Sequence, residues 1–394
     1  MFYLNAFNLI CNLGASPAEL AARLLRRNSP LPDRETLFQR RYGALCGAVS
    51  VDLPRLPPGL ERYDCRNNRL AAATLQALRP AIDEACSRYG SNRVGLVMAT
   101  STSGTDSTQA AIAESIGSGS ATPDFHPAQG MLGGLGEFCA ALLKTEGPVF
   151  TVSTACSSGG NALLAARRLL RLGLCDAVVC GGVDTLCELT VRGFASLEAV
   201  SAGLCRPFEA ERDGINIGEA GAAFLLSRTP SALRFSGGAA SSDAHHISAP
   251  HPQGSGAVAA IRGALDEAGL HPSDIDYLNL HGTGTPHNDA MEARALQRVF
   301  GEDGVACSTS KTWTGHTLGA AASLELALCC QLLLEEDPRL PPMQQGFNAD
   351  PALSPLALCD HHERPRRPLK HCLSNAFAFG GNNVSLIVSR TDGR

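Results

Sequence analysis

The sequence predicts an α/β fold that is built from two halves. Short apolar segments typical of buried strands alternate along the chain with segments of helical length, which is the pattern of a parallel sheet with crossover helices. The chain has 394 residues, 44% of them hydrophobic, so at ~150 residues per domain it holds more than one domain-sized unit. The alternation starts again after Pro230, and we predict an N-terminal half over 1–230 and a C-terminal half over 231–394.

The N-terminal half begins with an apolar strand over 1–11. Ser16 and Glu19 form a capping-box pattern with Pro17 at the first helical position, which predicts a helix over 17–27. Strands and helices then alternate to the end of this half. Strands are predicted over 94–99, 149–153, 177–180 and 222–227, helices over 68–78 and 157–172, and a glycine- and serine-rich loop around a short helix over 117–136.

The C-terminal half repeats the same alternation of strands and helices. Strands are predicted over 233–236, 275–280, 305–308 and 386–389, and helices over 256–268, 289–300 and 319–334. No short-period repeat is visible in the residues, so any duplication of the halves is not apparent as sequence identity.

Composition argues against several classes of protein. The net charge is −5 and no run of basic residues occurs, which argues against nucleic-acid binding. No apolar segment reaches the ~18 residues that a membrane-spanning helix needs. The 15 cysteines include no C-x-x-C pair and no zinc-ligand spacing, so we expect neither a disulfide framework nor a metal site. The start of the chain lacks the basic segment of a signal peptide, and a cytoplasmic enzyme is expected.

The first candidate functional residue is Cys156, in the segment 152–160. A strand ends there, a turn of small residues follows and a helix begins, so the cysteine lies at the positive end of a helix dipole. That position favours the thiolate and makes Cys156 a candidate nucleophile. A buried structural cysteine is the alternative.

Two candidate histidines lie in the C-terminal half. His281 directly follows the strand over 275–280, and Thr283 and Thr285 come next, two residues apart, where both hydroxyls can face one substrate chain. His316 lies in a glycine-containing loop before an alanine-rich helix. The same loop holds Lys311, one of only three lysines in a chain whose other thirty basic residues are arginine, so it is retained either by chance or where a compact ammonium group is needed. Ordinary loops with a solvated lysine and structural histidines are the alternative.

The segment 375–383 carries two phenylalanines followed by glycines and asparagines. It predicts a bent loop with exposed backbone N–H groups, which can supply an oxyanion donor and an aromatic gate at Phe379. A hydrophobic anchor before the last strand is the alternative.

One cysteine and two loop histidines, without a metal or dinucleotide motif, indicate acyl transfer. Cys156 would carry an acyl group as a thioester, and the N–H groups of Cys156 and Phe379 would bind the oxyanion. His281 and His316 could then stabilise an enolate released by decarboxylation. A cysteine protease needs only one base and no further glycine-rich loops, so it fits less well.

Together the four motifs resemble the β-ketoacyl-acyl carrier protein synthases, the condensing enzymes of fatty-acid and polyketide synthesis. The resemblance spans nearly the whole chain. It implies a thiolase-like fold, in which two similar halves form five layers in the order α-β-α-β-α, and it implies pairing of two chains. It also implies that no cofactor is bound, since phosphopantetheine arrives on the carrier protein.

The resemblance assigns the catalytic residues of an elongating enzyme of the Cys-His-His type. Cys156 matches the acyl-accepting cysteine, and His281 and His316 match the two catalytic histidines. Lys311 matches the lysine that supports this electrostatic site, and Glu292 matches an acidic partner placed near that lysine. The activity implied is a decarboxylative Claisen condensation of malonyl-carrier protein with the acyl group on the cysteine.

The resemblance also assigns contacts with substrate. Thr283 and Thr285 match the threonines that hold the phosphopantetheine arm, and Phe379 matches the gating phenylalanine, whose N–H forms the oxyanion hole with that of Cys156. Ala378 stands where the family usually has glycine and Asn382 where it has threonine, so gating is expected to differ.

Partners and subgroup follow from the same resemblance. An acidic carrier protein is expected to contact Arg62, Arg66 and Arg69, for which a solvated helix start is the alternative. The second chain is expected to be identical or to resemble a chain-length factor. The segments 66–69, 100–104 and 245–254 are similar to those of ketosynthases from aryl-polyene pathways, with a general fatty-acid elongating synthase as the main rival.

Two other functions stay open from the residues alone. A thiolase-type enzyme would condense coenzyme A thioesters and would use a second cysteine. The second alternative is a mainly structural subunit that sets chain length in a heterodimer. Such subunits resemble the active synthases but lack the cysteine. Cys156 therefore favours an active enzyme.

Overall fold

The computed structural model describes residues 1–120, 125–302, 304–360 and 363–391. The strands in these ranges are β1 (Tyr3–Ile10), β2 (Gln39–Arg41), β3 (Ala44–Gly47), β4 (Val94–Ala99), β5 (Val149–Val152), β6 (Ala177–Asp184), β7 (Ile217–Gly218), β8 (Ala220–Ser227), β9 (Leu233–Ser242), β10 (Tyr277–Asn279), β11 (Cys307–Ser308), β12 (His371–Ala378) and β13 (Asn382–Arg390).

The α-helices in the same ranges vary from one turn to four. They are α1 (Pro17–Leu20), α2 (Arg34–Leu37), α3 (Arg66–Gln76), α4 (Arg79–Tyr89), α5 (Thr105–Ser118), α6 (Leu132–Leu143), α7 (Ser158–Arg171), α8 (Glu188–Ser196), α9 (Ser255–Ala268), α10 (Pro286–Phe300), α11 (Lys311–Thr314) and α12 (Ala321–Leu334). Single turns of other helix types include Ala21–Leu25, Pro127–Gln129, Leu318–Ala320 and Phe379–Gly381.

Two five-stranded sheets repeat one topology. The first has the order β5-β4-β6-β8-β1 and the second β11-β10-β12-β13-β9, and they join only where Tyr3 of β1 pairs with Arg234 of β9. In each sheet the three outer strands are parallel and the next two strands are antiparallel to their neighbours. This confirms the prediction of two similar α/β halves, although their boundary at 230/231 stays a prediction.

The helices form three layers around these sheets. Helices α7 and α12 contact each other and pack between the two sheets, α3, α4 and α6 cover the outer face of the first sheet, and α9 and α10 cover the outer face of the second. The order of layers is therefore α-β-α-β-α, as predicted. Because α12 is enclosed by protein, it is apolar all round, and twelve of its fourteen residues are buried.

Small residues at the start of α7 allow the central layer to form. A Cβ atom on Gly160 would lie 2.7 Å from Cγ1 of Val384 in β13, and one on Gly159 would overlap Ser323 of α12. Glycine at both positions lets the helix approach its neighbours closely. The turn that carries Cys156 is consequently held against the C-terminal half.

Some predicted elements differ from those observed. The segment 117–136 was predicted as a loop around a short helix, but α6 begins at Leu132, and 121–124 lie outside the described residues. The glycines of α6 suggested a loop, yet they serve packing, since a Cβ on Gly136 would lie 2.7 Å from Oγ1 of Thr151. Helices α4, α5 and α8 were not predicted.

The bend predicted over 375–383 is shorter than expected. Residues 375–378 belong to β12, which pairs with β13 as far as Ala378 and Asn382. Only the turn Phe379–Gly381 is bent, and Gly380 and Gly381 have φ values of 80° and 72°, which glycine adopts easily. Within the described ranges, none of the helices is long and apolar enough to span a membrane.

Candidate active site

Cys156 lies in the turn between β5 and α7, as predicted. Ala155 has a φ of 52°, and its carbonyl accepts hydrogen bonds from the hydroxyls of Ser158, at 2.5 Å, and Ser101, at 3.3 Å. Ser158 in turn accepts from the N–H of Thr154 at 2.8 Å. The cysteine is 6% exposed, and it lines a cavity among the described residues.

His316 is the nearest potential base to the cysteine. Its Nε2 lies 2.9 Å from Sγ of Cys156, although the two residues come from different halves of the chain. The histidine backbone is held by β7, because its N–H donates to the carbonyl of Asn216 at 2.6 Å and its carbonyl accepts from Gly218 at 2.9 Å. Backbone pairing with the N-terminal half thus fixes the imidazole beside the sulfur.

His281 completes the group at the carboxyl end of β10. The rings of His281 and His316 have centroids 5.4 Å apart and are nearly perpendicular, at 85°. Nδ1 of His281 lies 3.4 Å from Nζ of Lys311. Because an ammonium group can only donate, this contact places the proton of a neutral His281 on Nε2, the nitrogen that a substrate oxygen could meet.

Lys311 forms its ion pair with Glu325, whereas Glu292, predicted as an acidic partner placed near that lysine, lies close enough for the charge of Lys311 to lower the pKa of its carboxyl. Lys311 and Glu325 form an ion pair in which both side chains are almost fully buried. Glu292 instead accepts from the N–H groups of His281, at 2.8 Å, and Gly282, at 2.7 Å. Glu292 therefore shapes the histidine loop. The sequence signal for Glu325 was present, since it is the one charged residue in the apolar helix α12.

Burial controls the protonation of this site. It raises the pKa of the Cys156 thiol to about 11, although Lys311 and two backbone N–H groups act in the opposite direction. Burial and the positive charge of Lys311 hold the pKa of both His281 and His316 well below the usual 6.5. The resting state is thus a neutral thiol beside two neutral imidazoles, and the thiolate expected from the helix dipole is not favoured.

The three residues also have the spacing of a metal site. Sγ of Cys156 and a ring nitrogen from each of His281 and His316 lie within 4.8 Å of one another. The Lys311 ammonium beside His281 places a positive charge next to any cation bound there, which is unfavourable in a buried site. The prediction that the site works without a metal stays a prediction.

The turn at Phe379 faces the cysteine. The backbone N–H groups of Phe379 and of Cys156 itself lie near the sulfur and act to lower the pKa of the Cys156 thiol, which fits the arrangement predicted for an oxyanion hole. The Phe379 ring packs on Phe194 of α8, with centroids 5.6 Å apart. The turn is held from outside by Ile247, whose carbonyl accepts from Gly380 at 2.7 Å, and by Asp243, whose N–H donates to Gly381 at 2.8 Å.

A cavity of about 320 Å³ leads from Cys156 to the surface. Thr283 and Thr285 line it, and their hydroxyls are 3.0 Å apart, so both face the same passage as predicted. Further out the lining includes His287, which is exposed, and the carboxylates of Glu198 and Asp213. Sequence reasoning missed Phe194 and His287, because neither lies in a recognised motif.

The three arginines predicted to contact a carrier protein are largely engaged within the chain. Arg66 forms an ion pair of 2.5 Å with the buried Glu219 and donates to the carbonyl of Val49 at 3.0 Å. Arg69 makes two bonds of 2.6 Å to Asp64. Arg62 is exposed and lies over the ring of Tyr63. The contact of these arginines with a carrier protein stays a prediction. Arg66 also pairs with a buried carboxylate inside the chain.

The layered fold and the Cys-His-His site define a condensing enzyme that transfers acyl groups. The chain belongs to the β-ketoacyl synthase family: the N-terminal domain of that family matches residues 60–232 and the C-terminal domain matches residues 234–344.

Individual relatives agree with this assignment. The chain is 31% identical over 397 residues to Nodulation protein E of Rhizobium meliloti, with 96% of each chain covered. It is 36% identical over 269 residues to 3-oxoacyl-(acyl-carrier-protein) synthase 2 of Synechocystis sp., with 63% of each covered. Among solved structures, it is similar to the ketosynthase ApeO of Xenorhabdus doucetiae, in complex with its chain length factor ApeC. That likeness has 40% identity and a TM-score of 0.90, and covers 99% of this chain and 98% of that one.

Proposed function

We propose that the chain catalyses a decarboxylative Claisen condensation between a Cys156-bound acyl group and malonyl-carrier protein. The observation that carries the proposal is the contact of 2.9 Å between Nε2 of His316 and Sγ of Cys156. The ring of His281 lies beside that of His316, and two backbone N–H groups lie near the sulfur. This arrangement supplies a nucleophile, a proton acceptor, an oxyanion hole and a second imidazole in one buried space.

In the first step, the acyl group moves to the enzyme. Sγ of Cys156 attacks the thioester carbonyl carbon, and the thiol proton passes to Nε2 of His316. The oxyanion accepts hydrogen bonds from the N–H groups of Cys156 and Phe379, both of which lie near the sulfur. When the tetrahedral intermediate collapses, the phosphopantetheine sulfur leaves with the proton from His316, and the acyl group stays on Cys156.

In the second step, malonyl-carrier protein loses carbon dioxide. The electron pair of the breaking carbon–carbon bond moves to the thioester oxygen as an enolate, which accepts hydrogen bonds from Nε2 of His281 and of His316. Neutral imidazoles can donate these bonds, and the contact with Lys311 presets the proton of His281 on Nε2. Once Cys156 is acylated, its sulfur no longer donates a proton to His316, and Nδ1 of His316 has no hydrogen-bond partner among the described residues, so the neutral ring takes the tautomer with its proton on Nε2. The enolate carbon then attacks the acyl carbonyl, Cys156 leaves as thiolate and regains a proton from solvent, and the product is two carbons longer.

We propose that the phosphopantetheine arm of the carrier occupies the cavity lined by Thr283 and Thr285. Their hydroxyls can hydrogen-bond the amides of the arm as it extends towards Cys156. The arm arrives on the carrier protein, so no cofactor bound by the enzyme is needed. The carrier and its arm are the substrate, not a prosthetic group of this chain.

Intact-mass analysis tests the proposal directly. The enzyme is incubated with a panel of acyl-carrier proteins, and a mass increase equal to the acyl group, absent in Cys156→Ala, is expected. Adding malonyl-carrier protein should then yield β-ketoacyl-carrier protein and restore the free thiol. If the wild-type enzyme takes an acyl group from acetyl-CoA and condenses it without any malonyl donor, a thiolase-type reaction replaces this proposal.

We propose a specialised pathway of the aryl-polyene kind for this activity. The proposal rests on the segments 66–69, 100–104 and 245–254 and is supported by the likeness to ApeO at 40% identity. Acylation of Cys156 by an aromatic unsaturated acyl chain at least ten times faster than by saturated chains of equal length would support it. Equal rates, or a preference for saturated chains, would favour a general fatty-acid elongating synthase.

We further propose that the chain pairs with a second ketosynthase-like chain along strand β5. Among the described strands β5 pairs with β4 alone, and its Phe150 is 39% exposed. Helix α6 packs on β5, and exposed apolar residues lie at its start and on α5 and α8: Met131, Leu132, Ile112, Ile116 and Leu189. Such an edge is usually covered. ApeO is found with a chain length factor, and native mass measured with and without such a partner will distinguish an identical from a different second chain.

We place this activity in the cytoplasm. All fifteen cysteines are free thiols, and fourteen of them are buried. A reducing compartment keeps them in that state.

A further inference from the structure

The fully buried Asp184, at the end of β6, is not explained by the chemistry above. Its side chain is 0% exposed and has no cationic partner among the described residues. One carboxylate oxygen accepts four hydrogen bonds from the loop after β4: the Thr100 hydroxyl at 2.6 Å, the Ser101 N–H at 2.8 Å, and the N–H and hydroxyl of Thr102, both at 2.9 Å. A buried carboxylate held only by neutral donors is costly, so its retention calls for a reason.

The other oxygen of Asp184 reaches into the opposite half of the chain. Oδ2 accepts the N–H of Gly319 at 2.6 Å, three residues after His316. A Cβ at position 319 would lie 2.7 Å from this oxygen and 2.6 Å from the hydroxyl of Ser101, so only glycine allows the approach. Asp184 thus joins the loop after β4 to the segment that follows the catalytic histidine.

The loop after β4 in turn contacts the turn of the nucleophile. The Ser101 hydroxyl donates to the carbonyl of Ala155, the residue before Cys156, at 3.3 Å. A continuous set of hydrogen bonds therefore runs from the cysteine turn through Ser101 and Asp184 to Gly319. It crosses the boundary between the half that carries Cys156 and the half that carries His281 and His316.

We propose that Asp184 is a positioning residue that sets the register of the two halves at the active site. Its two oxygens hold Cys156 and His316 at the separation that acyl transfer requires. The hydrogen bonds of Asp184 go to the loop after β4 and to Gly319, and its positioning effect passes through these two segments. Its charge also raises the pKa of the Cys156 thiol, an effect that Gly319→Ala leaves in place. The inference rests on the condensation proposed above.

The structure distinguishes this task from general stabilisation. His281 and His316 both belong to the C-terminal half, so a change in the register of the halves moves the sulfur away from the pair without separating the two imidazoles. Acylation of Cys156 should then suffer, whereas decarboxylation, which needs only the histidines, should be retained. Loss of stability alone would reduce both reactions together.

The test uses Asp184→Asn, which keeps the shape of the side chain but replaces one accepting oxygen by a donor. At saturating acyl-carrier protein, the rate of acylation of Cys156 should fall on the order of 10- to 100-fold, with the Michaelis constant unchanged, since small misplacements of reacting groups cost this much. Decarboxylation of malonyl-carrier protein, measured in the Cys156→Gln background, should change by less than about three-fold.

Asp276→Asn is the matched control. Asp276 is also a buried carboxylate that accepts backbone N–H groups, those of Lys370 at 2.7 Å and His371 at 2.9 Å, and it differs from Asp184 in its ion pair with the exposed Arg367. It precedes β10, at the other end of that strand from His281. It should leave both rates unchanged. If Asp184→Asn does not fold, Gly319→Ala disturbs the same contact from the other side and should give the same divergence of rates.

The outcomes separate the two proposals. If the wild-type enzyme does not become acylated, the proposed function fails. If the wild-type enzyme is active and Asp184→Asn lowers both reactions equally, Asp184 is a structural residue and the inference is overturned. If Asp184→Asn lowers neither reaction, the inference is overturned as well.

Discussion

Nε2 of His316 lies 2.9 Å from Sγ of Cys156, across the boundary between the two halves of the chain. Burial keeps both groups neutral, so the thiol gives up its proton only when it attacks. The helix dipole, which by itself favours a thiolate, is outweighed by the loss of solvent around the sulfur.

The first prediction separates the two chemical steps at this contact. Cys156→Ala should abolish condensation, because no sulfur remains to carry the acyl group. Cys156→Gln should still release carbon dioxide from malonyl-carrier protein, since that step uses only His281 and His316. Carbon dioxide release and product formation are measured on the same samples. Product formation by Cys156→Ala would contradict the assignment of the nucleophile.

The second prediction concerns the buried ion pair of Lys311 and Glu325. Lys311→Met leaves the carboxylate without its cation, which should lower the free energy of unfolding by about 3–5 kcal/mol. The double variant Lys311→Met with Glu325→Leu should recover part of this loss, because it removes both charges. Urea unfolding at pH 8 measures the effect. A cost below about 1 kcal/mol for the single variant would show that the pair is solvated.

Local patterns were sufficient to predict the alternation of strands and helices and the candidate residues for acyl transfer, whereas the order of the layers followed from the resemblance to the β-ketoacyl synthases. Buried strands appear as apolar runs, and Cys156, His281 and His316 each directly follow a strand or lie in a glycine-containing loop. The contacts between distant segments were not predictable. Nothing local pairs Lys311 with Glu325 and not with Glu292, since that choice depends on how α12 packs between the sheets.

Other differences have the same origin. The glycines of α6 indicate a loop when taken alone, whereas their function is to let the helix pack closely on β5. The pKa of Cys156 depends on burial, which no motif reports. Asp184 was overlooked because its partners come from two loops far apart in the sequence.

The third prediction is a pH dependence that involves Glu292. Burial raises the pKa of its carboxyl from 4.5 to about 7 in the folded state, so folding favours the protonated form. The stability that this group contributes is therefore complete below pH 4.5 and is lost as the pH rises towards 7. Relative to Glu292→Gln, the wild-type free energy of unfolding should fall between these limits and stay level above them. If the free energy of unfolding of the wild type rose with pH relative to that of Glu292→Gln, the prediction would be contradicted.

The fourth prediction assigns different roles to two arginines near the start of α3, Arg66 and Arg62. Arg66→Ala leaves Glu219, whose side chain is 1% exposed, without its cation, and should lower the free energy of unfolding by about 1–3 kcal/mol, because the arginine itself is partly exposed. Arg66→Ala should leave the Michaelis constant for the carrier protein unchanged, because a smaller fraction of folded enzyme lowers only the maximal rate. Arg62→Glu should raise that constant, because Arg62 is exposed and forms no ion pair with the described residues, so its charge is available to an acidic partner. It should affect unfolding less than Arg66→Ala does, since it loses only the contacts with the ring and hydroxyl of Tyr63. Equal Michaelis constants for Arg62→Glu and the wild type would exclude this surface as the docking site.

The last prediction concerns His287, at the mouth of the cavity. Among the described residues that line the cavity there is no lysine or arginine, and Glu198 and Asp213 make its outer part acidic. The phosphodiester of the phosphopantetheine arm must pass this region with its negative charge. The exposed imidazole of His287, two residues beyond Thr285 at the start of α10, can donate a hydrogen bond to it.

His287→Ala should therefore raise the Michaelis constant for malonyl-carrier protein about 3- to 10-fold, the cost of one hydrogen bond to a charged group at a solvated site. Pantetheine thioesters, which lack the phosphate, should react with His287→Ala and the wild type equally well. His271→Ala, at an exposed histidine before β10, is the control for a general loss of imidazole. An equal increase for both kinds of substrate would place the contact of His287 on the amide portion of the arm instead of the phosphodiester.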